Sequence, residues 1–170
     1  MKTYFSADTH FGHSRIIDYT GRPFGNVELM NEALIKNWNS RISKGDIVIF
    51  LGDFIFKQKE KARYFIDRLN GNITFIRGNH DNNNSLDTKI LYVVVKFANQ
   101  EVFCVHHPED YSSSYIINLV GHVHEKWKIR KVYNSFLVNV GVDAWRYYPV
   151  NIEEILKAIV EFKRESKKVR

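Results

Sequence analysis

Asp8-Thr9-His10, Gly52-Asp53, Gly78-Asn79-His80-Asp81, His106 ahead of His107-Pro108, and Gly121-His122-Val123-His124 follow one another along the chain. Together they hold carboxylates, imidazoles and an amide in the numbers that two adjacent divalent ions need. The seven histidines are His10, His13, His80, His106, His107, His122 and His124, and each lies in or beside one of these motifs. Mixed nitrogen and oxygen donors without thiolate point to Mn, Fe, Zn or Ni rather than Ca. Taken singly the motifs say less. An Asp-x-His pair serves equally as an exposed loop, Gly-Asp as a turn, and the i, i+2 imidazoles of 121–124 as the polar face of a half-exposed strand. Gly-Asn-His-Asp is more specific, because four turn-compatible residues carry three metal-binding or proton-transfer groups. All five in order, absorbing nearly all the histidine, favour chemistry over structure.

These residues need a frame that brings them to one place. Tyr4 to Ala7 reads as a short strand ending at Asp8. Asn26 reads as the N-cap of a helix whose apolar stripe is Val27, Met30, Leu34, Trp38 and Ile42. Ile47 to Leu51 is a continuous apolar run, as in a strand buried on both faces. A helix from Lys59 to Leu69 and a strand from Ile73 to Ile76 follow. This βαβαβ alternation predicts a parallel sheet with right-handed crossovers. Asp8, Asp53 and Asn79 then fall beyond the carboxyl ends of three strands, where open α/β sheets bind ligands. Gly52, Gly78 and Gly121 precede the polar motifs and allow unusual backbone angles or close approach.

The second half predicts strands at 91–97, 101–105, 116–120, 128–133 and 136–140, in a more antiparallel sheet. A last helix starts at Asn151 with Glu154 in capping-box position and Ile152, Ile155, Leu156 and Ile159 as its buried stripe. No repeat, low-complexity stretch or linker divides the chain, so residues 1–170 read as one domain.

Apolar content of 44% and charged content of 26% are those of a soluble globular protein. A single cysteine, Cys104, excludes an intrachain disulfide framework and makes a reducing cytosol the natural setting. Its apolar neighbours mark it as a buried thiol. The opening residues run straight into the first strand with no signal peptide, and no apolar run approaches a membrane span of ~20 residues. The net charge of +6 favours anionic partners. Part of that excess is the tail from Lys163 to Arg170, which reads as a solvated helix end, with nucleic-acid contact weakly indicated.

The motif series resembles the calcineurin-like metallophosphoesterase superfamily, most closely its small single-domain bacterial, archaeal and phage members, in which a similar Asp-Thr-His-Phe-Gly-His opening occurs. The resemblance implies an α/β, four-layer αββα sandwich, two mixed sheets flanked by helices. It implies that Asp8, His10 and His124 hold one metal, that Asn79, His106 and His122 hold another, and that Asp53 bridges them. His80 would be the general acid, oriented by Asp81. Many members carry Ser-His before an aromatic-Pro pair, whereas this chain has His106-His107-Pro108. His106 is therefore read as the ligand and His107 as its neighbour, the reverse staying open.

The implied activity is a dinuclear phosphoesterase, cleaving phosphodiesters or phosphomonoesters by in-line attack of a hydroxide bridging two ions, manganese first among them. Two ions against two carboxylates leave a site of about +2, matched to phosphate anions. His13, Arg15 and His107 are candidate contacts to substrate, a polar helix start being the other reading of the first two. Arg22-Pro23-Phe24 is a pocket wall or a turn, and Trp145 a base-stacking ring or a packed one. The expected partner is a phosphate ester such as a nucleotide. The alternatives are a nuclease holding DNA or RNA on a basic surface, and a non-catalytic metal-binding scaffold.

Overall fold

The computed structural model describes residues 1–56, 61–81 and 86–168. Strands β1 (Thr3–Ser6), β2 (Ile47–Leu51) and β3 (Asn72–Ile76) pair in parallel in the order β3-β2-β1. The two-residue β9 (Val150–Asn151) adds antiparallel to β1, an edge that Pro149 disguised in the sequence. The second sheet runs β4 (Tyr92–Phe97), β5 (Gln100–Val105), β6 (Ile117–Val120), β8 (Ser135–Asn139), β7 (Ile129–Val132). It is less antiparallel than its short connections imply. The outer pairs β4-β5 and β7-β8 are hairpins, but β5-β6 and β6-β8 are parallel.

Helix α2 (Val27–Arg41) begins where expected: the Asn26 side chain accepts from the Leu29 N–H at 2.8 Å. Its Met30, Leu34, Ile35 and Trp38 are buried on one face of the parallel sheet against Tyr4, Val48 and Phe50. Helix α1 (Ser14–Thr20), too short and too polar to announce itself, packs Ile16 into the same cluster. Helix α3 spans only Ala62–Ile66. The residues after it close i to i+3 bonds, Arg68 N to Phe65 O and Leu69 N to Ile66 O, so the chain tightens instead of continuing as α-helix. The expected start at Lys59 lies outside the described residues.

The other face of the parallel sheet, Phe5, Ala7, Ile49, Leu51 and Ile76, meets Val102, Cys104, Leu119 and Val138 of the second sheet. Alternation along each strand sends successive side chains to opposite cores, which is why β2 is apolar throughout. Helix α4 (Ile152–Lys168) sends Ile152, Ile155 and Ile159 into this inter-sheet core. Its capping box is complete: Glu154 N–H donates to Asn151 Oδ1 at 3.0 Å, and Asn151 N–H donates to Glu154 Oε2 at 3.1 Å. Leu156 departs from the expected stripe and is exposed, because the buried arc turns toward Phe162 instead. The far side of the second sheet is covered by Tyr115 and Trp127 from connecting segments, packed on Phe103, Val105 and Val120. Cys104 is fully buried, and burial pushes its thiol pKa up. Among the described residues no helix is long and apolar enough to cross a membrane.

Candidate metal centre

Pairing does not stop where the strands do. Beyond β1 and β2 the two loops run side by side, with Asp8 N bonded to Gly52 O, His10 N to Asp53 O and Phe11 N to Phe54 O at 2.9–3.1 Å. Ala7 bridges Gly141 on the other side, and Val142 N bonds to Ala7 O. Loops that would otherwise wander are thereby held in register. Asp8, His10, Asp53, His122 and His124 all have positive φ, five of the nine non-glycine residues that do among the described residues. Left-handed backbone costs such residues about 1–3 kcal/mol each and persists only where the surroundings enforce it. Here it turns each side chain into one cleft between the ends of the two sheets.

Two groups of ligating atoms form there, Asp8 with His10 and His124, and Asp53 with His106 and His122, each with its atoms within 4.8 Å of one another. Each group draws on both sheets. Asp53 faces both: its Oδ2 lies 3.6 Å from His10 Nε2 and 3.4 Å from His106 Nε2. Asn79 Oδ1 sits 3.0 Å from His106 Nε2 and 2.9 Å from His122 Nδ1, completing the second group. His10 is 1% exposed, yet neither ring nitrogen has a hydrogen-bond partner. Burying an imidazole without partners is costly. A cation between His10, Asp8 and His124 removes that cost, so the residues present fit a metal pair.

The tautomers are set to suit. His106 Nδ1–H donates to Leu51 O at 2.6 Å, and His124 Nδ1–H donates to Asp143 Oδ2 at 3.0 Å, leaving Nε2 of each for a ligand. Glycine makes room. Gly52, at φ +87°, would with a Cβ strike His106, and a Cβ on Gly78 would collide with the Asp53 carboxylate. Burial raises Asp8 to a pKa of about 6, against the pull of His106 and His124, and holds His10 well below its ordinary value. Burial also opposes ionisation of Asp53, but the hydrogen bond and charge of His106 outweigh it and keep its carboxyl low. For His106, burial is overcome by Asp53 and Asp8, and its pKa rises to about 9.

The structure turns His106 into the cluster and leaves His107 at the rim, its ring 4.1 Å from that of His122. His80 is exposed on the cleft wall with its ring 5.4 Å from that of His10, and its backbone N–H donates to Asp53 Oδ1. The Asp81 carboxylate accepts from Asp53 N, Phe54 N and Gly78 N. It braces the two loops against each other, a part the sequence did not suggest. His13 stacks on Phe56 at 3.8 Å, and Arg15 lines the same side of the cleft.

Arg22, by sequence a pocket wall or a turn residue, and Asp143, which no motif singles out, meet here. They are a buried pair, 2.8 Å from Nε to Oδ1 with side chains 0% and 2% exposed. Arg22 also donates to the carbonyls of Asp8 and Thr9 at 2.8 and 3.0 Å, and Asp143 accepts from His124. Asn139 donates to His124 O at 2.7 Å. Trp145 is a packed ring, its indole N–H bonded to Asn139 O. No motif marks these residues; an arginine beside a proline and an Asp after a strand look like any turn.

A family model described as calcineurin-like phosphoesterase matches residues 1–158. The chain belongs to the calcineurin-like phosphoesterase family. An uncharacterized protein of Methanocaldococcus jannaschii, MJ1445, is 40% identical over 170 residues, covering 93% of this chain and 91% of its own. Among solved structures, AQ665 of Aquifex aeolicus, a protein of unknown function, aligns at 22% identity with a TM-score of 0.74 over 92% of this chain and 98% of that one. Vps29 of Chaetomium thermophilum aligns at 12% identity and TM-score 0.51 over 81% and 70%. These two structures share the fold, two mixed sheets with helices.

Proposed function

We propose that the protein is a metal-dependent phosphodiesterase acting with two divalent ions, manganese before Fe, Zn or Ni. The carrying observation is the Asp53 carboxylate set between His10 and His106, with a full donor set on either side. In this reading Asp8, His10 and His124 hold one ion, Asn79, His106 and His122 the other, and Asp53 both. The ions, when bound, would acidify a water and offset the charge of a phosphate. His80, on the cleft wall, gives a proton to the leaving oxygen, a part that positioned imidazole side chains take in general acid catalysis. Asp81 keeps the loop bearing Asn79 and His80 in place through three backbone bonds. Arg22 and Asp143 fix the Asp8 loop and the His124 ring. A non-catalytic scaffold is the weaker reading, because no donor and no candidate acid is missing. The single buried thiol suits a reducing cytosol.

Chelator-treated protein is expected to regain hydrolysis of methyl p-nitrophenyl phosphate on addition of Mn²⁺. Folded protein inactive with every divalent ion tried would refute the proposal. A nuclease reading draws on the exposed Arg130 and Lys131 of β7. It requires turnover of DNA or RNA that falls steeply with added salt.

A further inference from the structure

The metal-ligand groups lie between two unlike cavities. One, of about 610 Å³, opens on the His10 and His124 side and includes His80 in its wall. The other, of about 470 Å³, opens beside Asn79 and His106. A phosphodiester has two ester arms, and in-line displacement sends the leaving arm away from the attacking oxygen. A cavity beside each ligand group offers room for one arm apiece, and their linings differ.

The first cavity is cationic. Arg15 and Lys126 line it, and neither has an ion pair among the described residues; Glu125 is the only carboxylate in the lining. The second is aromatic. Tyr92 is 59% exposed, and its ring stacks at 5.3 Å on the buried Phe103, which stacks at 5.3 Å on Tyr115. That ladder fixes the angle of Tyr92 and keeps an apolar ring facing water, flanked by Leu91 and the exposed cation Arg77. Aromatic faces held this way bind flat rings, each stacked base contributing about 1–3 kcal/mol.

We propose that the substrate is a nucleotide diester with unlike arms, a nucleoside stacked on Tyr92 and a leaving arm bearing a further phosphate held by Arg15 and Lys126. The inference rests on the phosphodiesterase reading above. In the step, an oxygen from water bonds to phosphorus as the bond to the leaving oxygen breaks. That oxygen keeps the electron pair and takes the His80 proton, the attacking water releases a proton to solvent from which His80 is recharged, and the products are a nucleoside monophosphate and a phosphorylated alcohol.

Two measurements test it. The dinucleotide TpT carrying a 5′-terminal phosphate, added to the metal-free full chain, is expected to bind about tenfold more weakly to Tyr92→Ala and to Arg15→Ala/Lys126→Ala than to the parent. With Mn²⁺, the dinucleotide TpT carrying a terminal phosphate is expected to exceed TpT in kcat/KM about tenfold, a ratio that collapses in the Arg15→Ala/Lys126→Ala variant. Binding of that dinucleotide indifferent to both variants overturns the inference, as does a preference that survives the loss of both cations. Binding that fails in the variants while the parent hydrolyses no phosphate ester would uphold the two subsites and refute the phosphodiesterase reading instead.

Discussion

Replacing Asp143 by Asn removes one charge from a site no motif identifies. In the parent, Asp143 Oδ1 accepts from Arg22 Nε at 2.8 Å, while Oδ2 accepts from Arg22 Nη2 at 2.9 Å and His124 Nδ1 at 3.0 Å. Asparagine keeps the shape, but one of its two positions becomes a donor facing donors. His124 then faces a neutral amide in place of the carboxylate whose charge strengthens Nε2 as a ligand. Losing such a partner costs roughly 10–100-fold in metal affinity, or about 1.4–2.7 kcal/mol. Arg22 is left as a buried cation without its counter-charge. Breaking buried pairs costs about 3–5 kcal/mol, and the remaining acceptor on Asn and the two carbonyls on Arg22 place this variant near the lower figure. Against a typical stability of about 5–15 kcal/mol, the protein stays folded. Calorimetric titration of chelator-treated protein with Mn²⁺ is the assay, with thermal melting alongside. One site should weaken by at least tenfold and the other by much less. Unchanged affinity at both, or equal loss at both, would refute the argument that Asp143 acts through His124.

Three further outcomes follow from the same geometry. Asp53→Ala should abolish binding of both ions, read by elemental analysis, because its Oδ2 faces both groups; one ion retained at full occupancy would contradict the shared role. His80→Asn should lower turnover by about 10²–10⁴-fold, the usual contribution of a general acid, with both ions still bound. Metal uptake should release protons in two ranges, measured in buffers of differing ionisation enthalpy. Asp8 is protonated below about pH 6, so its site strengthens as pH rises through that value, and His106 gives up its proton up to about pH 9. In metal-free protein both groups hold protons more tightly folded than unfolded. The stability from Asp8 is therefore lost as pH rises from 3.8 to about 6, and that from His106 as it rises from 6.5 to about 9.

The parallel half of the fold was legible because β2 is an uninterrupted apolar run, β3 carries Ile73, Phe75 and Ile76, and α2 has a regular stripe with its own cap. The site was legible because histidine is concentrated in five motifs that end strands. What escaped is what pattern cannot carry. Strand direction in the second sheet depends on crossovers that look like short hairpin connections. Helix α1 has only Ile16 and Ile17 as apolar signal, and Leu156 follows the helical period but not the arc that is buried. Arg22, Asn139 and Asp143 work by meeting residues far along the chain, such as the 121 positions between Arg22 and Asp143. The choice between His106 and His107 needed three dimensions as well, since only the depth of β5's end separates them.

Each ligand group takes donors from both sheets, Asp8 and His10 against His124, Asp53 and Asn79 against His106 and His122. Ions seated there would rivet the two halves of the sandwich at one end, where the inter-sheet apolar core gives way to polar loops. Each ion at a hundred times its dissociation constant adds about 2.7 kcal/mol to the folded state. The end of the molecule that carries the candidate site would then also be its clasp. Metal starvation would part the sheets from that end first, and amide exchange in the loops after β1, β2 and β6 would quicken well before the strands themselves open.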